Sequence, residues 1–174
     1  MSAQDEDIVN AGIEVLKAWG PEATIDKLVN ILDQTDNLSL AGNCAAAIGK
    51  IGGPKAEDIL IEHLSDGRIM VVVQSLSGLG LLKSAKSIDT IAEFLRPENI
   101  NDPTLPMAIN TLAKIGNKNA IPKLEALLNS DITSVTLKIN IIKAINTIDS
   151  SKGYEIASNE IKNTGDIRYI TSLL

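Results

Sequence analysis

Ala45-Ala46-Ala47-Ile48-Gly49-Lys50-Ile51-Gly52-Gly53-Pro54-Lys55-Ala56 is the stretch that decides the fold. It runs as an apolar helix up to Ile51 and then breaks. Glycine tolerates the left-handed backbone that closes a helix, and proline suits the first turn of the next one. Gly49, Gly52 and Gly53 are read together as a helix-breaking turn. No Lys-Ser/Thr pair follows them, which removes a phosphate-binding loop. The arrangement returns along the chain. With Ile51 as anchor, the equivalent positions are Trp19, Leu82, Ile115 and Ile148, at spacings of 32, 31, 33 and 33 residues. Self-similarity at such a period marks a stacked repeat.

The register extends beyond the anchors. Three residues before them stand Leu16, Ile48, Leu79, Leu112 and Ile145. Five after them (+5) stand small residues, Thr24, Ala56, Ser87, Ala120 and Gly153, where one helix of a hairpin crosses the other. Position +9 holds Leu28, Leu60, Ile91, Leu124 and Ala157, and +13 holds Leu32, Leu64, Leu95, Leu128 and Ile161. Ile8, Gly12, Val15, Leu16 and Trp19 repeat at helical spacing. Each repeat is thus a helical hairpin that buries its apolar face only by stacking on its neighbours. The expected fold is all-α, an α-solenoid (α-α superhelix) of about five hairpins forming one domain over 1–174. The hairpins fall at approximately 5–33, 37–65, 68–96, 103–130 and 132–163, with a capping helix at 166–174 carrying Ile167, Ile170, Leu173 and Leu174. Pro97 and Pro103 imply a longer link between hairpins three and four, and Pro106 is expected to kink the next helix.

The segments Ala45 to Gly52 and Leu112-Ala113-Lys114-Ile115-Gly116-Asn117-Lys118-Asn119-Ala120-Ile121-Pro122-Lys123-Leu124 resemble the HEAT-like repeat, in the variant named after phycobilin lyases. The resemblance covers residues 5–163 and specifies an armadillo-like helical fold more than a function. Hairpin three departs from the pattern with Lys83 in place of the second glycine, and hairpin five with Asn146 and Asp149 in place of both. Two functions are compatible with it. One is a non-catalytic protein-protein interaction scaffold. The alternative is a phycobilin-lyase-like or chaperone-like accessory acting on a chromoprotein or cofactor enzyme.

Composition removes other classes. The chain has 22 Asp+Glu against 16 Lys+Arg, one Cys, one His and four aromatic residues, Trp19, Phe94, Tyr154 and Tyr169. A lone Cys44 makes no disulfide framework, and one Cys with one His makes no zinc site. An acidic chain poor in aromatics lacks the charge and stacking that nucleic acid requires. No apolar run approaches a membrane span, and the acidic Met1 to Asp7 is no secretory signal, so a soluble, cytoplasmic protein is expected. A relative with a di-iron centre carries paired His-Glu dipeptides, whereas here a single His63 follows Glu62. No catalytic, cofactor-binding or metal residue is expected. Cys44, seven before its anchor, reads as a buried thiol, His63 and Phe94 at +12 as packing residues, and Trp19 as core of the first hairpin.

The acidic excess has a pattern. In the repeat family the second helices line the concave face, and their positions +7, +10 and +11 point away from the hairpin core. Those positions read Asp26, Val29, Asn30; Asp58, Ile61, Glu62; Asp89, Ala92, Glu93; Pro122, Glu125, Ala126; and Glu155, Ser158, Asn159. Seven of the fifteen are acidic and none is basic, where the composition would place about two acids. Position +7 is expected in the first turn of each second helix, where a carboxylate favours the helix dipole without any partner. Glu62, Glu93 and Glu125 are not covered by that reason. The expected partner is a protein or peptide with a basic or amphipathic segment. Val29, Ile61 and Ala92 would offer it apolar contact, with steering from Asp26, Asp58, Glu62, Asp89, Glu93, Glu125 and Glu155.

Overall fold

Helix starts and stops fall where the glycines, prolines and capping side chains put them. A computed structural model describes residue 12 and residues 20–99, 101–130 and 134–164. The helix expected over 5–19 with Trp19, the capping helix at 166–174 and Tyr169 lie outside the described residues. The chain divides into two compact units, 1–82 and 83–174.

In the first unit, Gly20 at φ 96° precedes Pro21, which opens α1 (Pro21–Gln34). Asn37 accepts hydrogen bonds from the Ser39 and Leu40 amides and so caps α2 (Leu38–Ile51). Gly52 (φ 76°) and Gly53 (φ 89°) then turn the chain into α3 (Pro54–Glu62), which tightens into a 3-10 turn over His63–Ser65. The unit ends with α4 (Ile69–Leu82). Ile25, Leu28 and Leu32 of α1 are buried, as are Ala45 and Ile48 of α2, Ala56 and Leu60 of α3, and Val71, Leu76 and Leu79 of α4. Full burial of each Leu or Ile side chain contributes about 1.5–3 kcal/mol.

Gly49 is not part of the turn. It lies inside α2 and is buried. A Cβ on it would stand 2.7 Å from the Gly78 Cα of α4, and one on Gly78 would stand 2.7 Å from Leu60 Cδ1. The two glycines let α2 and α4 touch backbone to backbone. The turn belongs to Gly52 and Gly53 alone.

In the second unit, a 3-10 turn over Ala85–Ser87 runs into α5 (Ile88–Ala92), and a further 3-10 turn covers Pro97–Asn99. Then come α6 (Thr104–Ile115), a 3-10 turn over Lys118–Ala120, α7 (Ile121–Leu128), α8 (Val135–Ile148) and α9 (Ser150–Thr164). Pro106 is the third residue of α6 and exposed, and the helix runs on to Ile115. A first-turn residue has no intrahelical partner for its N–H, so proline costs nothing there. The expected kink is absent for that reason.

The fold is all-α, with nine α-helices among the described residues, packed as a repeat. Positions +5 and +9 are buried in every hairpin except for the half-buried Ala157. At +13, Leu32, Leu64 and Leu128 are buried while Leu95 and Ile161 are half-buried. The crowding at +5 is tightest at Gly153, where a Cβ would come within 2.4 Å of the Asn146 Cα. The helix-ending position just after the anchor takes positive φ in Gly20, Gly52 and Gly116, and also in Lys83 (φ 52°). Asp149 escapes it with an extended backbone (φ −147°) and caps α9 by accepting from the Ser151 and Lys152 amides.

Candidate functional site

The outward face of the second helices is regular. At +7, Asp26, Asp58, Asp89, Pro122 and Glu155 are all exposed. At +11, Asn30, Glu62, Glu93, Ala126 and Asn159 are exposed as well. At +10, Val29, Ile61, Ala92, Glu125 and Ser158 are half-buried. The alternation is what a helix lying on its +5, +9, +13 stripe requires.

The electrostatics of this face differ from the expectation. Three of the five second helices, α1, α3 and α9, open two or three residues after the anchor. Position +7 is therefore the sixth residue of α1, the fifth of α3 and the sixth of α9. Only Asp89 stands in a first turn; in α1 and α3 that place belongs to Glu22 and Glu57. The dipole effect fades within one turn, so it does not account for Asp26, Asp58 or Glu155. Lysines account for several of these acids instead. In the first unit Lys55 Nζ lies 2.6 Å from Asp26, one hairpin earlier. In the second, Lys123 Nζ lies 2.6 Å from Asp89, and Lys152 bridges Glu125 (3.2 Å) and Glu155 (3.5 Å). Glu125 and Glu155 hold the Lys152 ammonium above its ordinary range. Lys118 binds Asp149 at 2.7 Å, and with the α9 amides it holds that carboxyl below the usual carboxylate range. Asp58 is engaged too. Glu62 and Glu93 carry no ion pair among the described residues.

Among the described residues, each unit holds an open slot between consecutive second helices, at matching repeat positions. In the first unit Val29 and Asp33 of α1 face Ile59, Glu62, His63, Ser65 and Asp66 around about 230 Å³. In the second, Ala92, Leu95 and Pro97 face Lys123, Ala126, Leu127 and Ser130 around about 320 Å³. The first slot is rimmed by acids and the second is largely apolar.

The first slot is built by two residues whose roles the repeat pattern does not reveal. The Arg68 guanidinium forks onto Asp66, with Nε to Oδ1 at 2.9 Å and Nη2 to Oδ2 at 2.7 Å. Its Nη1 reaches back to the Leu32 and Thr35 carbonyls at 2.8 and 3.1 Å. This ties the end of α1 to the turn before α4 and holds the Asp66 carboxyl below the usual range. His63 is half-buried as expected, but also bonded: Nδ1 lies 2.9 Å from the Ile59 carbonyl and Nε2 3.2 Å from Asp33 Oδ1. No group of three or more His, Cys, Asp or Glu side chains among the described residues is placed to hold a metal ion.

Cys44 is buried in α2, and burial raises its thiol pKa above the ordinary value. Phe94 is half-buried and Tyr154 exposed. No helix among the described residues is long and apolar enough to cross a membrane.

The sequence profile of the PBS lyase HEAT-like repeat matches residues 40–66, which hold most of α2, the glycine turn and α3. Residues 40–66 thus carry a HEAT-like repeat. Its fold is similar to a chain in the complex of CpcE and CpcF of phycocyanin lyase from Nostoc sp. PCC7120. The TM-score is 0.62 and the identity 19%, over 97% of this chain and 69% of that one. At that identity the likeness concerns the fold. No curated protein sequence matches this chain.

Proposed function

We propose that this HEAT-like repeat protein is a protein-binding accessory of the phycobilin-lyase kind, working in complex with another chain on a chromoprotein. The observation that carries the reading is the likeness over 97% of the chain to a subunit seen within a two-protein lyase complex. The PBS lyase HEAT-like repeat in residues 40–66 supports it. In this reading the partner lies on the outward face of the second helices, at Asp26, Val29, Asp58, Ile61, Glu62, Asp89, Ala92, Glu93, Glu125 and Glu155. The regular exposure of +7 and +11 supports that assignment. Lysines hold several of the acids, so the face presents fixed, partly neutralised charge. Such a surface sets orientation and partner choice more than it adds raw affinity.

The test is isolation of the tagged full chain from its host, with peptide mass spectrometry and a visible spectrum of the eluate. A chromoprotein subunit or a lyase-type second chain, enriched over an unrelated HEAT-like control, is the expected result. An eluate holding neither refutes the reading.

A further inference from the structure

The lysine pairs redistribute the acidity of the second-helix face. Asp26, Asp89, Glu125 and Glu155 are each within ion-pair distance of a lysine. Glu62 is exposed, carries no ion pair, and stands in the first-unit slot beside the half-buried aliphatic walls of Val29 and Ile59. Asp33, across the slot on α1, is 55% exposed, hydrogen bonds to the His63 ring and lies within electrostatic reach of the Arg68 guanidinium. Asp66 is already taken by Arg68.

Resting on the proposed partner-binding face, we infer that the slot between α1 and α3 is the anchor for one lysine or arginine side chain of the protein partner. Three observations converge on that occupant. The volume of about 230 Å³ lies below the ~300–1,000 Å³ of small-molecule pockets and suits a side chain. The aliphatic walls match a basic residue's stem, which packs on apolar surface while its charged head stays wet. The unpaired Glu62 and the solvent-facing Asp33 supply the opposite charge at the rim. The matching slot of the second unit has apolar walls and a lysine turned to Asp89, and it offers a cation nothing.

The full chain is titrated by amide NMR with n-butylguanidinium, n-butylammonium and, as the neutral control, n-butanol. Saturable shifts at Val29, Ile59, Glu62 and His63 are expected from the two cations, at least threefold weaker from butanol. The better cation identifies arginine or lysine as the source. Glu62→Gln, on an exposed side chain, is expected to weaken cation binding at least threefold. Glu22→Gln, at an exposed acid in the first turn of α1 and outside the proposed face, is expected to leave it unchanged. Absence of saturable shifts, equal binding of butanol, or equal weakening by Glu22→Gln overturns the inference. These readouts need no natural partner. A host isolate that retains its partner alongside a silent slot refutes the slot alone, and a cation-binding slot without a partner in the isolate refutes the functional reading alone.

Discussion

Removing the Arg68 fork tests how the first unit, and with it the slot, is held together. Arg68→Met keeps much of the stem and deletes four hydrogen bonds, two to Asp66 and two to the Leu32 and Thr35 carbonyls. Exposed pairs contribute ~0–1 kcal/mol, and breaking a fully buried pair costs ~3–5 kcal/mol. Arg68 and Asp66 are 23% and 12% exposed, which puts this pair between those limits. A loss of about 2–3 kcal/mol follows, read as a lower midpoint in urea unfolding at constant slope. Arg68→Lys keeps the charge but not the fork, and one ammonium cannot serve four spread acceptors, so it is expected to lose more than half as much. Asp66 has its folded pKa depressed by Arg68. Its contribution is therefore complete above the unfolded value of about 3.9 and is lost as pH falls through the lower folded value. The gap between wild type and Arg68→Met should hold from neutral pH down to about 4 and narrow below it, the bonds to the Leu32 and Thr35 carbonyls remaining. A loss under about 0.5 kcal/mol, an Arg68→Lys variant as stable as wild type, or a gap that ignores acid would refute the clamp.

Three further substitutions probe the packing, each read by chemical denaturation. Gly49→Ala forces a Cβ against the Gly78 backbone and is expected to cost about 2 kcal/mol despite alanine's better helix propensity. Gly42→Ala is the milder comparison, its Cβ standing 3.3 Å from the Met70 Cβ and 3.6 Å from the Met70 carbonyl oxygen, and should cost less than about 1 kcal/mol. Ser75 is fully buried with its hydroxyl unpartnered, and Ala108 stands at the matching place in hairpin four. Ser75→Ala should raise stability by about 1–2 kcal/mol. Lys83→Gly relieves a left-handed residue where three hairpins have glycine, and a gain of about 0.5–1 kcal/mol is expected after the unfolded-state entropy of glycine is counted.

The inward side of each hairpin was legible in the sequence because burial follows the helix period and leaves a regular trace. The stripe at +5, +9 and +13, the glycine turns and the small residues at crossings all come from that. The outward side obeys no such constraint. Lys55 meets Asp26 because of how consecutive second helices lie side by side, an offset that periodicity does not encode. A signal was present in the recurrence of lysine four after the anchor at Lys55, Lys86 and Lys152. Gly49 was misread because a glycine near a turn and a glycine at a helix crossing look alike in one dimension. Only the hairpins with a 3-10 turn before α5 and α7 delay the helix enough to put +7 in its first turn; α1, α3 and α9 open earlier and leave Asp26, Asp58 and Glu155 beyond it. The reach of Arg68 back to α1 left no trace in the sequence because its two partners there are carbonyls, which every residue has.

In the proposed reading this chain serves a chromoprotein as a protein-binding accessory. Its most direct test is the chromophore occupancy of the host's chromoprotein subunits, measured by visible absorbance per polypeptide in cells with and without the chain. The account predicts altered occupancy of at least one subunit in its absence, restored by the wild-type chain. Unchanged occupancy of every subunit would contradict it.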